Sequence, residues 1–364
     1  MHLTFHPLQI VERTPAAADA VSLTLAIPEA LRPEYTFEPG QHVALRATLA
    51  GRELRRTYSI IDGSPGGTLR LGIRVQPPGG LSHYLAHEVR VGEHIDTLAP
   101  TGRFIYHPHP TGDRSCLAIA SGSGITPILS IITATLEHEP ESRVVLLYGN
   151  RTVASTMFVE DIQALKNRFM ERFIAHFIMS REPQEMDIFN GRIDAARLRQ
   201  FAGRLFEPAA VAEAFVCGPG DMPASCREAL AAIGVKAPVH FERFATAAAP
   251  GAAATAAPGA ADHGAAAITT ATTNITVVQD GRRRGFSMTT EDESVLAAAE
   301  RAGLELPYSC RSGVCSTCRV KVIRGTVAMT HNVALEEWEL AAGYALACQA
   351  RPTGGDLELS YDEK

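Results

Sequence analysis

The chain has 364 residues, of which 46% are hydrophobic and 20% charged, and its formal net charge is −6. This length suits two or three domains and the composition is that of a globular protein. With no long basic block, no apolar run of the roughly 18 residues that a membrane helix needs, and no visible secretory leader, we expect a cytoplasmic protein that binds neither nucleic acid nor membrane.

The first part of the chain, residues 1–108, consists of short predicted strands separated by Gly and Pro. The strands are predicted at 21–27, 42–48, 54–60, 69–75 and 94–98. About six strands at this spacing are typical of a small antiparallel β-barrel.

The second part, residues 109–245, alternates strand and helix. Strands are predicted at 116–120, 143–148, 172–180, 213–217 and 239–244, and helices at 125–137, 156–168, 194–201 and 222–233. Such alternation is typical of an α/β domain in which helices cover both faces of a parallel sheet.

Residues 246–272 are almost entirely Ala, Thr, Pro and Gly. Pro250 and Pro258 would interrupt any helix that the alanines start, which indicates a linker. The last domain, residues 273–364, is predicted to contain a hairpin that turns at Asp280-Gly281, a helix at 294–302, and strands at 319–323 and 356–361.

Four of the seven cysteines lie in this last domain, at Cys310, Cys315, Cys318 and Cys348. The spacing C-x4-C-x2-C with a distant fourth cysteine is the plant-type ligand pattern of a [2Fe–2S] cluster. Gly313 can adopt the positive φ that such a sharply turning loop needs. A structural zinc site is the alternative, although zinc ligands usually come as two C-x2-C pairs. We therefore predict that these four thiolates hold an iron–sulfur cluster.

Two motifs in the barrel indicate a flat cofactor that carries phosphate. Arg56-Thr57-Tyr58-Ser59 offers a guanidinium for a phosphate, a ring for stacking and a hydroxyl for a heteroatom. Pro78-Gly79-Gly80-Leu81-Ser82 precedes a predicted helix and suits a pyrophosphate. Taken separately, these motifs are also compatible with a solvated strand face and an ordinary N-cap serine.

Three motifs follow strands of the α/β domain. Gly122-Ser123-Gly124-Ile125-Thr126-Pro127 resembles a dinucleotide loop but lacks the third glycine of G-x-G-x-x-G, so it could also serve tight packing. Arg151 stands where an acid would read a free 2′-hydroxyl, which favours NADPH over NADH. Cys217-Gly218-Pro219 ends a later strand at the edge where such sheets bind ligands, although Cys217 could equally be a core residue.

Together these motifs resemble the ferredoxin–NADP reductase superfamily with a C-terminal plant-type ferredoxin domain. The domain order, with Glu-Leu-Arg-Arg-Thr-Tyr-Ser-Ile at 53–60 and Tyr-Gly-Asn-Arg-Thr at 148–152, is similar to the subgroup of reductases that serve phenylacetyl-CoA epoxidation. The resemblance implies an FAD-binding barrel (1–108), an NAD(P)H-binding α/β domain (109–245), a linker (246–272) and an α+β ferredoxin domain of the β-grasp fold (273–364).

The resemblance also implies roles for individual residues. Those that would hold FAD are Arg56, Thr57, Tyr58, Ser59, Arg74, Val75, Gly80, Leu81, Ser82 and Phe244. Those that would hold the nicotinamide dinucleotide are Gly122, Gly124, Thr126, Pro127, Arg151, Cys217, Gly218 and Pro219. Ser59 near flavin N5, Cys217 near nicotinamide C4, and Glu242 are the predicted catalytic residues.

We therefore expect an oxidoreductase in which NADPH, or else NADH, reduces FAD, and the cluster delivers single electrons to a di-iron oxygenase of phenylacetate degradation. A flavin is needed because nicotinamide gives electrons in pairs whereas the cluster accepts them singly. The same chain could instead serve another aromatic, ring-hydroxylating oxygenase. The alternative from a different class is a zinc-stabilised binding module without enzymatic activity.

Overall fold

The structure is a computed structural model that describes residues 4–63, 67–76, 78–109, 111–244, 272–335 and 337–363. The chain forms two compact units, one made of the described residues within 5–244 and the other of those within 272–363 together with Thr4. The predicted linker lies outside the described residues except for Thr272, which begins a strand.

The first unit opens with a closed antiparallel barrel of six strands in the order β1-β2-β5-β4-β3-β6. The strands are β1 (Phe5–Ala17), β2 (Ala20–Ala26), β3 (His42–Leu49), β4 (Arg52–Asp62), β5 (Thr68–Arg74) and β6 (His94–Leu98). The short helix α1 (Leu81–His87) packs against β3, β4 and β5, with Leu81 and Leu85 buried in the barrel core. The predicted barrel is confirmed, and β1 supplies its sixth strand.

The rest of this unit is a five-stranded parallel sheet in the order β11-β10-β7-β8-β9. Its strands are β7 (Ser115–Ser121), β8 (Arg143–Asn150), β9 (Phe173–Met179), β10 (Val211–Pro219) and β11 (Val239–Phe244), and its helices are α2 (Ile125–His138), α3 (Val159–Arg168), α4 (Ala195–Phe201) and α5 (Met222–Ala232). In β7, Ala118 and Ala120 pack with α2, whereas Leu117 and Ile119 pack with α4 and α5. Helices therefore cover both faces, as predicted.

Helix α3 begins later than its predicted start at residue 156. Phe158 adopts a left-handed conformation with φ of 58°, which cannot continue a right-handed helix. The helix therefore starts at Val159.

A glycine lets the barrel and the sheet domain approach each other closely. A Cβ placed on Gly72 of β5 would lie 2.4 Å from Thr126 Cγ2 and 2.8 Å from a ring carbon of Phe158. An ion pair joins the same two parts, since Arg70 Nη2 lies 2.5 Å from Asp161 Oδ1. The start of α2, directly after the G-x-G turn, is thereby held against β5, the strand that carries the predicted FAD residue Arg74.

The second unit is a mixed sheet in the order β13-β12-β16-β14-β15. Its elements are β12 (Thr272–Gln279), β13 (Arg282–Thr289), α6 (Val295–Arg301), β14 (Arg319–Met329), α7 (Glu337–Ala341), β15 (Tyr344–Leu346) and β16 (Ala350–Ser360). Strands β12 and β16 are parallel, and α6 packs on the sheet, which confirms the predicted β-grasp fold. Asp280 and Gly281 both have positive φ, as the predicted hairpin turn requires.

Strands β14 and β16 are longer than the predicted segments 319–323 and 356–361. They pair with each other through register shifts, from Lys321 opposite Ser360 to Met329 opposite Ala350. Bulges accommodate the Pro and Gly residues that hid this pairing in the sequence. None of the helices in the described ranges is long and apolar enough to cross a membrane.

Candidate active site and cluster loop

The carboxyl ends of the parallel strands form one edge, along which the predicted nucleotide-binding segments and the segment after β9 lie in a row. Glu242 is on β11 and Cys217 on β10, Gly122 follows β7, Arg151 follows β8 and Arg181 follows β9. Neighbouring strands are about 4.8 Å apart, so the row spans about 19 Å. An extended ligand on this edge would touch segments that are far apart in the sequence.

The two glycines of the G-x-G turn serve different purposes. A Cβ on Gly124 would lie 2.3 Å from the carbonyl oxygen of Cys217, so the predicted alternative of tight packing is correct for this residue. Gly122 has φ of +56° and no heavy atom within 4 Å of its added Cβ, which leaves space for a ligand. Thr126 Oγ1 donates to Ser123 O at 3.0 Å, and Pro127 is buried within α2.

Cys217 and Glu242 meet barrel residues at the joint between the barrel and the sheet. Cys217 is fully buried and lies beside Glu242 in the register of β10 and β11. His42, at the start of β3, is directly opposite Ser59 of β4, and its Nδ1 lies 3.8 Å from Glu242 Oε1. The fold thus brings together the segments that carry the predicted catalytic residues Ser59, Cys217 and Glu242. It also places His42 among them.

Burial leaves the two titratable groups of this contact uncharged at neutral pH. It raises the pKa of Glu242 to about 8 and lowers the pKa of His42 to about 4. The contact at 3.8 Å is therefore not an ion pair at pH 7. Burial, and then the nearby Glu242, also raise the pKa of the Cys217 thiol well above its usual value, so this cysteine is a neutral thiol.

His42 was not predicted as a site residue, because its neighbours in the structure come from other parts of the chain. Its position opposite Ser59 follows from the β3–β4 register, and its contact with Glu242 follows from packing of the sheet on the barrel. In the sequence, the scattered histidines show no spacing typical of ligands. Only a correct strand pairing could have pointed to this residue.

We expect replacement of Glu242 by Gln to stabilise the first unit by an amount that grows as the pH rises from about 4.5 to about 8. A carboxyl whose pKa rises on folding costs nothing below its unfolded value near 4.5, and the cost grows until the pH passes the folded value of about 8. The variant should gain up to about 4 kcal/mol in unfolding free energy at pH 8.5 and almost nothing at pH 4.5. Urea unfolding followed by flavin fluorescence measures this difference.

The matched control for that experiment is Glu228→Gln, which removes an exposed carboxylate of α5 in the same unit. Its effect should be small and independent of pH. If Glu242→Gln shows an equal effect at both pH values, Glu242 titrates normally in the folded protein.

The predicted FAD motifs lie on neighbouring parts of the barrel. Tyr58 packs against the barrel core together with the residues of α1, and its buried hydroxyl has no hydrogen-bond partner within the described residues. Gly79 has φ of +85° and open space around it, and Ser82 Oγ accepts a hydrogen bond from Gln76 N at 3.0 Å. Arg56 is exposed. An unsatisfied hydroxyl and an open glycine turn fit a polar cofactor at this face.

Several residues predicted to bind FAD make other contacts within the protein. Leu81 points into the barrel core, so only its backbone is available to a ligand. Arg74 contacts the Asp19 carboxylate and donates to Ser155 O at 2.8 Å, and the Val75 N–H donates to Asp19 O at 2.9 Å. The predicted roles of these residues in binding FAD stay predictions.

The remaining predicted residues lie in the middle of β4 and at the ends of β10 and β11. Thr57 is half-buried on β4, and Phe244 packs against the core between the barrel and α2. A Cβ on Gly218 would lie 2.4 Å from Met222 Sδ, and Pro219 is exposed beside it. Gly218 and Pro219 thus form the closely packed end of β10, next to the G-x-G turn.

A second basic residue, not predicted from the sequence, stands next to Arg151. The N–H of Arg181 donates to Arg151 O at 2.8 Å, and Ser180 Oγ donates to Asn150 O at 3.1 Å. Both arginines are exposed at the same sheet edge. The sequence signal was the position of Arg181 directly after the predicted strand at 172–180, comparable to that of Arg151 after the predicted strand at 143–148.

The four cysteines of the second unit come together as two hydrogen-bonded pairs, Cys310 with Cys315 and Cys318 with Cys348. Pairing lowers the pKa of Cys310 to about 5 and raises that of Cys315. Among the described residues, no three His, Cys, Asp or Glu side chains converge on a single ion position. Two thiol pairs fit a two-iron cluster in which each iron takes two thiolates.

The backbone of the cysteine loop is shaped around these sulfurs. Ser312 N donates to Cys310 Sγ, and Cys310 N donates to Cys315 Sγ, both at 3.4 Å. Gly313 has φ of +75°, as predicted, and a Cβ there would lie 2.7 Å from His331 O. Arg311 and Ser316 also have positive φ, which is costly for residues other than glycine. The loop therefore holds a strained conformation that directs N–H groups at sulfur.

Three family models match the chain in the order of its domains. They describe an oxidoreductase FAD-binding domain at residues 7–106, an oxidoreductase NAD-binding domain at residues 118–228, and a 2Fe-2S iron-sulfur cluster binding domain at residues 277–353. The last match includes all four cysteines. The chain therefore uses FAD, a pyridine nucleotide and a [2Fe–2S] cluster, and the zinc-module alternative is wrong.

Known proteins resemble the chain over its whole length. It is 40% identical over 362 residues to a subunit of the 1,2-phenylacetyl-CoA epoxidase of Escherichia coli, with 99% of each chain covered. It is 33% identical to the ferredoxin reductase component of 3-ketosteroid-9-alpha-monooxygenase of Mycobacterium tuberculosis, which covers 98% of this chain and 96% of the relative. The solved structure of phthalate dioxygenase reductase shares the fold, with a TM-score of 0.61, 20% identity and 98% of each chain covered. The chain therefore belongs to the family of NAD(P)H-dependent oxidoreductases with FAD-binding, NAD-binding and [2Fe–2S] domains that includes this 1,2-phenylacetyl-CoA epoxidase component.

Proposed function

We propose that this protein passes electrons from NADPH through FAD and the [2Fe–2S] cluster to the oxygenase component of a phenylacetyl-CoA epoxidase. The observation that supports this most directly is the 40% identity to one component of such an enzyme, which extends through 99% of both chains. The similarity covers the cysteine loop as well as both nucleotide-binding domains.

The barrel residues suit the binding of FAD. The exposed guanidinium of Arg56 would bind a phosphate oxygen, and the half-buried ring of Tyr58 would pack on the flavin, whose polar atoms could satisfy the Tyr58 hydroxyl. Gly79 and Gly80 would let backbone N–H groups approach the pyrophosphate. When bound, FAD accepts a hydride from the nicotinamide and releases electrons singly to the cluster.

The joint between barrel and sheet would enclose the reacting atoms. Cys217 and Ser59 border this space from the sheet and the barrel, and both are buried, so they would exclude water. Glu242 Oε2 has no hydrogen-bond partner among the described residues, and at pH 7 the carboxyl holds its proton because burial raises its pKa to about 8. It can therefore donate a hydrogen bond without placing a negative charge beside the nicotinamide.

The far end of the same edge would bind the adenosine part of the nucleotide. Arg151 and Arg181 are exposed and adjacent there, and guanidinium groups bind phosphate well. A 2′-phosphate is the group that distinguishes NADPH from NADH. We therefore propose NADPH as the preferred donor.

The cysteine loop would present the cluster to the partner on one side. Cys318 and Cys348 are buried in the core of the second unit, whereas Cys310 and Cys315 are only half-buried. We infer that electrons leave on the side of Cys310 and Cys315. Cluster-binding thiolates must remain reduced, which favours the cytoplasm as the location.

A second candidate partner is a ring-hydroxylating oxygenase. The 33% identity to a 3-ketosteroid-9-alpha-monooxygenase reductase component over 98% of this chain supports a partner other than a phenylacetyl-CoA oxygenase, because a similar chain is a component of a different oxygenase. The cofactors and the path of the electrons would be the same, and only the surface that meets the oxygenase would differ.

The deciding experiment is reconstitution with purified components. The protein, loaded with FAD and cluster, is mixed with NADPH and a phenylacetyl-CoA oxygenase, and the epoxide formed is compared with the NADPH consumed. We expect strong stimulation with a ratio near one, and little stimulation of a 3-ketosteroid oxygenase in a parallel assay. Rapid reduction of ferricyanide without stimulation of the epoxidase would contradict this partner and leave the reductase activity intact.

A further inference from the structure

An aspartate outside the predicted site contacts two of the predicted cofactor residues. Asp19 lies in the turn between β1 and β2, and its two oxygens meet different guanidinium groups. Asp19 Oδ1 accepts from Arg74 Nη1, and Asp19 Oδ2 accepts from Arg151 Nη2 at 2.6 Å. The barrel thereby places a carboxylate next to the arginine that we assign to the 2′-phosphate.

The position of Asp19 is held by its backbone and by Arg74. The neighbouring N–H of Ala18 donates to Ala154 O at 2.9 Å, and Asp19 O accepts from Val75 N at 2.9 Å. Arg74 is itself held, since its Nη2 donates to Ser155 O at 2.8 Å. The carboxylate therefore cannot follow Arg151 when a ligand draws that side chain away.

Arg151 is less constrained than its partner. Its side chain is 51% exposed, compared with 34% for Asp19, and it extends from the segment that follows β8. An ion pair this exposed holds its arginine only weakly. It favours the paired over the unpaired position of the side chain by a factor on the order of five or less. A bound phosphate can therefore compete with Asp19 for the guanidinium.

Whether Asp19 strengthens or weakens nucleotide binding depends on the charge of the ligand group that competes with it for Arg151. A phosphate monoester at pH 7 carries close to two negative charges, and Asp19 carries one. Repulsion between such groups about 6 Å apart weakens binding on the order of tenfold, which exceeds the benefit from a better positioned Arg151. NADH has a hydroxyl in place of the phosphate and does not experience this penalty.

We propose that Asp19 is a specificity-determining residue, whose carboxylate competes with the 2′-phosphate of NADPH for Arg151 and so narrows the preference for NADPH over NADH. This inference rests on the proposed function, because it requires Arg151 to face the adenosine 2′ position.

The test is the substitution Asp19→Asn in the full-length protein loaded with FAD and cluster. Asparagine keeps the shape of the side chain but removes its charge. With ferricyanide as acceptor, kcat/KM for NADPH should rise about fivefold through a lower KM, while that for NADH stays within about twofold. The inhibition constant of 2′,5′-ADP should fall by the same factor, and that of 5′-AMP should not change.

The matched control is Asp161→Asn. It removes another carboxylate that joins the barrel to the sheet domain, through Arg70 Nη2 at 2.5 Å, without touching Arg151. Any effect of loosening the joint should appear in this variant too, and should act on both nucleotides alike. A shift of the NADPH to NADH ratio in Asp161→Asn equal to that in Asp19→Asn would overturn the proposal.

A third variant, Arg151→Glu, separates the inference from the proposed function. It should lower kcat/KM for NADPH about tenfold or more and leave NADH almost unchanged. If it does so while Asp19→Asn leaves the ratio unchanged or lowers it, the role of Asp19 is wrong and NADPH recognition by Arg151 stands. If Arg151→Glu leaves the ratio unchanged, the assignment of Arg151 fails and the role of Asp19 fails with it.

Discussion

Replacement of Cys315 by Ser should abolish electron transfer to an oxygenase while NADPH still reduces ferricyanide at close to the original rate. A serine hydroxyl is a poor substitute for a thiolate, and Cys315 forms one of the two thiol pairs of the loop. The FAD-binding and NAD-binding domains lie in the other compact unit, so we expect them to fold without this loop. We expect a loss on the order of a hundredfold in oxygenase-coupled turnover, with ferricyanide reduction within about twofold.

The matched control for Cys315→Ser is Cys226→Ser. Cys226 is fully buried on α5, and burial raises the pKa of its thiol to about 12, so it behaves as a small core side chain. This variant should keep the visible absorbance of the cluster and both activities, at some cost in stability. Loss of ferricyanide reduction in Cys315→Ser, with FAD still bound, would contradict the separation between the flavin site and the cluster.

Replacement of Gly124 by Ala should have the largest effect of any single methyl group in the nucleotide site. The added Cβ would lie 2.3 Å from the carbonyl oxygen of Cys217, 2.6 Å from its carbonyl carbon and 3.0 Å from Gly218 N. All three are backbone atoms of β10, a strand that pairs with β7 on one side and with β11 on the other. The clash must therefore displace the G-x-G turn or Cys217, both of which border the proposed nicotinamide site.

We expect Gly124→Ala to lower kcat/KM for NADPH on the order of a hundredfold and to destabilise the first unit by about 2 to 3 kcal/mol. Steady-state kinetics with ferricyanide and urea unfolding followed by flavin fluorescence measure the two effects. Gly122→Ala is the comparison, since it has open space and its cost of about 1 kcal/mol comes from φ of +56° alone. A milder result for Gly124→Ala than for Gly122→Ala would mean that the contact with Cys217 does not control the turn.

Strand and helix positions in the first unit were largely predictable, because burial on a sheet imposes a short period on the sequence. Strand β11 (Val239–Phe244) and strand β6 (His94–Leu98) match their predicted bounds. In the second unit the misses occur where the period is interrupted, as in β14 and β16, whose pairing passes through Gly354 and Pro352. Sequence patterns do not reveal a strand that continues through a bulge, since the partner strand stabilises it.

The arrangement of side chains around the candidate site was much less predictable. Glu339 illustrates this, because it lies in an acidic stretch of the sequence and is nevertheless buried, with Arg319 Nη1 at 2.7 Å. A charged residue in a polar stretch is predicted to be exposed unless its partner is known. That partner lies on β14, and only the packing of α7 near that strand brings the two together.

The sequence by itself determined the features that depend on near neighbours in the chain. The spacing of Cys310, Cys315 and Cys318, the turn at Gly313 and the alternation of strands and helices all reflect steric and covalent limits over a few residues. These features were enough to indicate an iron–sulfur cluster and an α/β domain, whereas FAD and the nicotinamide dinucleotide were implied by the resemblance to a known family.

Only the tertiary structure decided which distant residues share a site. The contact of His42 with Glu242, the approach of Gly124 to Cys217 and the contact of Asp19 with Arg151 each join separate elements. Asp19 and Arg151 are 132 positions apart, so no local pattern relates them. Their contact depends on strand order and on how the sheet packs on the barrel, because packing energy sums over the whole core and is not encoded in any one segment.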